Sequence, residues 1–230
     1  MLDPKKIKAI SLDLDDTLWP IWPAIERAEK TLENWLGQHA PATAVLLAKP
    51  DIKLAIRREV VSAQPELAHN LSAIRLEMIR VALTRCGDNV ALAAPAFEMF
   101  YAERNCVSLY SDALLALEFL AARFPVIAVS NGNADIEKIG IHRYFRASIS
   151  AQQLGVAKPD PRIFHAAAGL VAVCPTTVLH VGDDPEMDVL GALASGMQAV
   201  WLNRTAASWA YPQAPHAVVT NLTELCDLLA

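Results

Sequence analysis

Ile7-Lys8-Ala9-Ile10-Ser11-Leu12-Asp13-Leu14-Asp15-Asp16-Thr17-Leu18-Trp19 begins as an apolar run of strand character and ends in closely spaced carboxylates and a hydroxyl. Charge is costly there, because carboxylates one residue apart at a strand end repel each other unless a cation or a shared proton relieves them. Asp15, Asp16 or Thr17 could instead cap the helix that follows, a common duty for these residue types. Three later segments tip the balance toward a site. Pro125-Val-Ile-Ala-Val-Ser130-Asn131-Gly132 is a second apolar strand, ending in a hydroxyl, an amide and a glycine. Gly155-Val-Ala-Lys158-Pro159-Asp160-Pro161 sets a lysine just before a proline-opened helix. Thr176-Thr-Val-Leu-His180-Val-Gly182-Asp183-Asp184-Pro-Glu-Met-Asp188 is a third apolar strand running into a carboxylate cluster.

Between these segments the periodicity divides the chain. From Pro20 to Cys106 apolar residues recur at three- and four-residue steps, as in Ile21, Ile25, Ala28, Leu32 and Trp35, with Gly37 placed to stop that helix. No strand pattern interrupts the stretch, so residues 20–106 read as an all-helical insertion. From Ser111 onward short apolar strands alternate with helices: strands end at Ser130 and Ile149, and others span Val178 to Val181, Ala199 to Leu202 and Ala217 to Val219. That alternation implies an α/β, doubly wound, Rossmann-like parallel sheet covered on both faces, formed by residues 1–19 and 107–230. Ligands of such sheets bind beyond the carboxyl ends of the strands, where strand order reverses, and Asp13, Ser130 and Asp183 lie at such ends.

The 230 residues suffice for a large core, and 53% hydrophobic with 20% charged residues is globular composition. A net charge of −5 and the lack of a basic stripe argue against a nucleic-acid polymer, and Arg57 and Arg58 read as a solvated helix face. Asp13, Asp15 and Asp16 interrupt the first apolar run before a signal core could form, and no run is long enough to span a bilayer, so a cytoplasmic chain without membrane contact is expected. Cys86, Cys106, Cys174 and Cys226 have no paired spacing and read as buried or semi-buried thiols.

Chemically, a carboxylate attacking a phosphoryl group must overcome like-charge repulsion, which calls for a divalent cation. Hard carboxylate oxygens suit Mg2+. Asp13 and Asp183 are the expected ligands, with Asp184 and Asp188 binding directly or from behind. Lys158 neutralises nucleophile and phosphoryl oxygens, the Ser130 hydroxyl and neighbouring N–H groups of Asn131 and Gly132 hold those oxygens, and Asp15 is placed as general acid and base.

With these motifs in this order, Asp13-Leu-Asp15-Asp16-Thr17, Ser130-Asn-Gly, Lys158-Pro and Gly182-Asp183-Asp184 to Asp188, the chain resembles phosphatase-type members of the haloacid dehalogenase superfamily. The resemblance implies that Asp13 forms an aspartyl-phosphate, that Asp15 protonates the leaving alcohol and then activates water, and that the Asp15 backbone carbonyl joins Asp183 at magnesium. It implies a small phosphorylated metabolite as substrate and makes the helical insertion a mobile cap. Dehalogenases of that superfamily do not use a second carboxylate two residues after the nucleophile, so Asp15 points to phosphoryl transfer. A phosphomutase of the same fold and a non-catalytic phosphate- and magnesium-binding protein are the alternatives. A receiver domain of two-component signalling has a shorter chain, with its acidic pair first. His180 reads as a hydrogen-bonded core residue rather than a base. Trp19 and Trp22 read equally as lining an entrance or as packing, and Arg75 and Arg80 as solvated helix face. Oligomeric state is not legible.

Overall fold

A computed structural model describes all 230 residues, Met1–Ala230. The chain forms two compact units, residues 21–107 and residues 1–20 with 108–230.

Residues 21–107 are helical throughout: α1 (Ile21–His39), α2 (Pro41–Leu47), α3 (Pro50–Ala63), α4 (Leu71–Cys86) and α5 (Ala93–Arg104), joined by short turns. One face of α1 buries Ala28, Leu32 and Leu36 against Ile79 and Leu83 of α4 and Phe100 of α5. A second cluster joins Ile56 and Val60 of α3 to Ile74, Met78 and Ala82 of α4. Gly37 does not stop α1, which runs on to His39. The break falls at Ala40, because Pro41 disfavours the helical conformation in the residue before it and opens α2 instead. Arg75 is no solvated arginine either: its guanidinium lies 3.8 Å from the Phe100 ring centroid and 2.7 Å from Glu29, which Lys53 also reaches.

The other unit is a six-stranded parallel sheet in the order β3-β2-β1-β4-β5-β6. Its strands are β1 (Ala9–Leu12), β2 (Val126–Ser130), β3 (Ala147–Ser150), β4 (Val178–Gly182), β5 (Gln198–Leu202) and β6 (Ala217–Val219). The helices α6 (Ala113–Ala121), α7 (Ile136–Ile139), α8 (Ala151–Leu154), α9 (Pro161–Leu170), α10 (Gly191–Ala194) and α11 (Leu222–Leu228) complete it. β1, β2, β4 and β5 are buried at every position, as expected of central strands covered on both faces. Ile163, Phe164 and Ala167 of α9 pack on Ala9, Ile127, Val129 and Val178, which fills one side of the sheet.

The order reverses at β1: β2 and β3 lie to one side, β4 to β6 to the other. The register pairs Leu12 with Val181, so the residues leaving β1 and β4, Asp13 and Asp183, emerge at one point. The segment between β4 and β5 begins as a π-helical stretch, Pro185–Leu190, before α10. Cys106 and Cys174 are exposed rather than buried, whereas Cys86 and Cys226 are partly buried.

Candidate active site

Asp13 follows the last residue of β1, and its N–H donates to the Val181 carbonyl at 3.0 Å, which ties it to the end of β4. The chain then turns sharply. Asp16 takes the left-handed conformation (φ 58°), which aspartate tolerates better than most side chains. That turn lets the Asp16 N–H donate to the Trp19 carbonyl at 2.7 Å and the Trp19 indole N–H donate to Asp15 Oδ1 at 2.9 Å. Trp19 is fully buried, so of the two sequence readings it takes packing, with the added duty of orienting Asp15. Thr17 donates to Asp183 Oδ1 at 3.2 Å. Arg204 braces the loop from outside, donating to the Thr17 carbonyl at 3.0 Å and to both Asp112 oxygens.

Lys158 reaches the same point from the turn before α9. Its ammonium, 4% exposed as a residue, lies 2.5 Å from Asp13 Oδ1 and 2.6 Å from Asp188 Oδ1. Its backbone is held by Asn131 on both sides: the Lys158 N–H donates to Asn131 Oδ1 at 2.7 Å and Asn131 Nδ2 donates to the Lys158 carbonyl at 2.9 Å. The Gly132 N–H donates to Ser130 Oγ at 2.9 Å. The Asn131 side chain and the Gly132 N–H thus hold Lys158 and Ser130. Ser130 accepts from Gly132 and keeps its own hydrogen for an anionic oxygen.

The fourth motif divides its acids by geometry. Carboxylate oxygens of Asp13, Asp183 and Asp188 lie within 4.8 Å of one another. Asp184 stands outside that group. It is exposed, and its Oδ1 accepts from the N–H groups of Glu186 and Met187 at 2.8 Å each, so it caps the helical stretch rather than facing the cluster. Asp188, read as binding directly or from behind, is a buried member of the cluster, with Oδ2 accepting from the Asp184 N–H at 3.1 Å.

Gly182 makes that position possible. A Cβ there would lie 2.2 Å from Asp188 Cγ, and Asp188 has no room to retreat because Lys158 and the Asp184 N–H pin it. Gly182→Ala is therefore expected to destabilise the fold by about 1–3 kcal/mol, measured by urea unfolding. A variant of unchanged stability would contradict this packing.

His180, read as a hydrogen-bonded core residue, and Trp201, which the sequence left unassigned, support the cluster. His180 on β4 lies 3.1 Å from Asp188 Oδ1 through Nε2, and the Trp201 indole donates to the Asp183 carbonyl at 2.7 Å. A buried imidazole in an otherwise apolar strand was the available signal for the first; nothing local to Trp201 announces the second.

The charges do not balance. Burial pushes the Asp13 carboxyl well above its usual range, with Lys158 pulling it back and Asp188 and Asp183 pushing it further. Burial, then the charges of Asp188 and Asp16, raise Asp183 to about 7. Burial opposes ionisation of Asp188 as well, but Lys158 and the hydrogen bond from His180 outweigh it and hold this carboxyl below the ordinary range. Lys158 is disfavoured by burial yet raised overall by Asp13 and Asp188. One ammonium thus faces three clustered carboxylates, two of which resist ionisation. A hard divalent cation fits this all-oxygen donor set and would supply the missing positive charge.

Residues 7–196 match the family model of haloacid dehalogenase-like hydrolases. The chain is 31% identical to the 5-amino-6-(5-phospho-D-ribitylamino)uracil phosphatase YigB of Escherichia coli, over 97% of each chain. It is 32% identical to the phosphoserine phosphatase of Thermus thermophilus, over 86% of this chain and 89% of that one. Among solved structures, a 2-haloacid dehalogenase from Pseudomonas syringae superposes with a TM-score of 0.93 at 35% identity, covering 97% of this chain and 98% of the other.

Proposed function

The chain belongs to the haloacid dehalogenase-like hydrolases, and from that premise we propose that it is a magnesium-dependent phosphatase of a small phosphorylated metabolite. The observation that carries this reading is a buried nucleophile candidate, Asp13, held by Lys158 inside a carboxylate cluster, with Asp15 two residues on. Asp13, Asp183 and Asp188 would hold the magnesium, together with the Asp15 backbone carbonyl that the family resemblance assigns to it. Bound there, magnesium supplies Lewis acidity and charge neutralisation at the phosphoryl oxygens.

Asp13 attacks phosphorus, the bond from phosphorus to the ester oxygen breaks, and that oxygen takes the proton of Asp15. Asp15, now ionised, accepts a proton from water as the water oxygen attacks the aspartyl-phosphate; Asp13 is regenerated and inorganic phosphate leaves. Lys158 and the Ser130 hydroxyl hold the phosphoryl oxygens through both steps. The helical unit 21–107 serves as a cap that selects the leaving group, in keeping with the small organic phosphates named for the Escherichia coli and Thermus thermophilus relatives.

The 35% identity to a haloacid dehalogenase gives halide displacement a claim as second reading. The chemistry favours phosphate. A halide leaves without a proton, so Asp15 would have no proton to supply, and the carbon attacked in a haloacid, unlike phosphorus, bears no anionic oxygens of its own that call for a cation-binding cluster. Incubation with a panel of small phosphomonoesters, with and without magnesium, and with 2-chloropropionate separates the two. Magnesium-dependent phosphate release without chloride release is expected. Chloride release with inert esters would overturn the assignment.

A further inference from the structure

Ser11 and His180 face each other in register on the neighbouring strands β1 and β4, and both are fully buried. Their strands are otherwise Ala-Ile-Leu and Val-Leu-Val-Gly, where a polar pair costs more than an apolar one unless its hydrogen bonds are used. They are used. Ser11 Oγ lies 2.8 Å from His180 Nδ1, and His180 Nε2 lies 3.1 Å from Asp188 Oδ1, the oxygen that also receives Lys158. The Phe164 ring packs T-shaped against the imidazole, with ring centroids 5.0 Å apart and planes at 88°.

An ionised carboxylate only accepts, so Nε2 carries the hydrogen. Nδ1 is then the bare nitrogen, and the Ser11 hydroxyl is the donor placed to satisfy it. At Asp188, the Asp184 N–H fixes Oδ2 while His180 fixes Oδ1, so the carboxylate plane is set from two sides. We propose that Ser11 and His180 are positioning residues: the hydroxyl locks the imidazole as its Nε2–H form, and the imidazole fixes Asp188, which in turn aims Lys158 at Asp13. Neither residue touches substrate. The effect on turnover rests on the phosphatase reading; the hydrogen-bond relay itself does not.

The test uses Ser11→Ala, His180→Leu, His180→Gln and the double variant Ser11→Ala/His180→Leu, in the full chain. Histidine 15N spectra of the metal-free, substrate-free protein read the relay directly. The Nε2-protonated pattern is expected for His180 in the native chain and a tautomer mixture in Ser11→Ala. With p-nitrophenyl phosphate and magnesium, His180→Leu is expected to lower kcat about 10- to 100-fold, with KM moving less than about threefold. His180→Gln, which retains an N–H donor near the Nε2 position, should recover most of that loss. The double variant should be no slower than His180→Leu alone, because Ser11 acts only through the imidazole. A native His180 protonated at Nδ1, or losses that multiply in the double variant, would overturn the proposal. If His180→Leu does not fold, the spectra of Ser11→Ala and the rate of His180→Gln decide. If the native chain turns over no ester, the phosphatase reading fails, and the spectra alone judge the relay.

Discussion

Asp13→Asn is expected to lower kcat for phosphomonoester hydrolysis by at least about a thousandfold while the chain stays folded. The amide keeps the shape of the carboxylate and an oxygen that can still accept from Lys158, so the 2.5 Å contact at the end of β1 has a substitute. What the amide lacks is a nucleophile: its oxygen carries no full charge and its nitrogen lone pair is delocalised. The loss should fall on kcat, since Lys158 and the Ser130 hydroxyl, proposed to hold the phosphoryl group, are unchanged. Unfolding curves near those of the native chain together with a silent active site are the expected pair of results. Turnover within tenfold of native would remove Asp13 from the role of nucleophile and, with it, the aspartyl-phosphate route.

That much of the chemistry is visible in the chain because the sheet is written in short, mostly apolar runs. Val126–Ser130 and Val178–Gly182 read as buried strands of a parallel sheet, and their carboxyl ends carry the residues that converge. The pattern does not reveal which acid of the fourth motif faces inward. Asp184 and Asp188 are the same side chain on one segment, and the choice depends on backbone N–H groups that claim Asp184 and on the π-helical turn that swings Asp188 over Gly182. Gly37 misled for a related reason: glycine permits a helix to end but does not force it, and here Pro41 sets the break. Asn131 shows a third limit. Its place after a strand announces a polar contact but not whether the partner is a ligand or the backbone of Lys158, 27 residues away in sequence.

The unbalanced charge of the cluster should make the metal-free protein less stable as pH rises from about 4 to about 7.5. Asp183 titrates near 7 when folded, chiefly through burial and then through Asp188 and Asp16, against about 3.9 in the unfolded chain. Between those values the folded chain holds a proton that the unfolded chain has released, so unfolding stability falls with increasing pH, by up to about 4 kcal/mol once both limits are passed. Asp13, also raised by burial, acts in the same direction. Asp188 is held low, so its stabilisation is present above about pH 4 and is lost only below that window. Lys158, raised by its carboxylate partners, contributes throughout the window and loses its effect only at strongly alkaline pH. Magnesium bound as proposed would sit on the ionised carboxylates, so it should raise the melting temperature more at pH 7.5 than at pH 5.5 and flatten the profile. Thermal melts in chelator across this range, for the native chain and Asp183→Asn, check the origin of the slope. The asparagine variant has no proton to lose at 183 and should be the flatter of the two. Equal slopes would mean that Asp183 does not carry the charge strain assigned to it, and the case for a cation among Asp13, Asp183 and Asp188 would lose that carboxylate's share of its electrostatic basis.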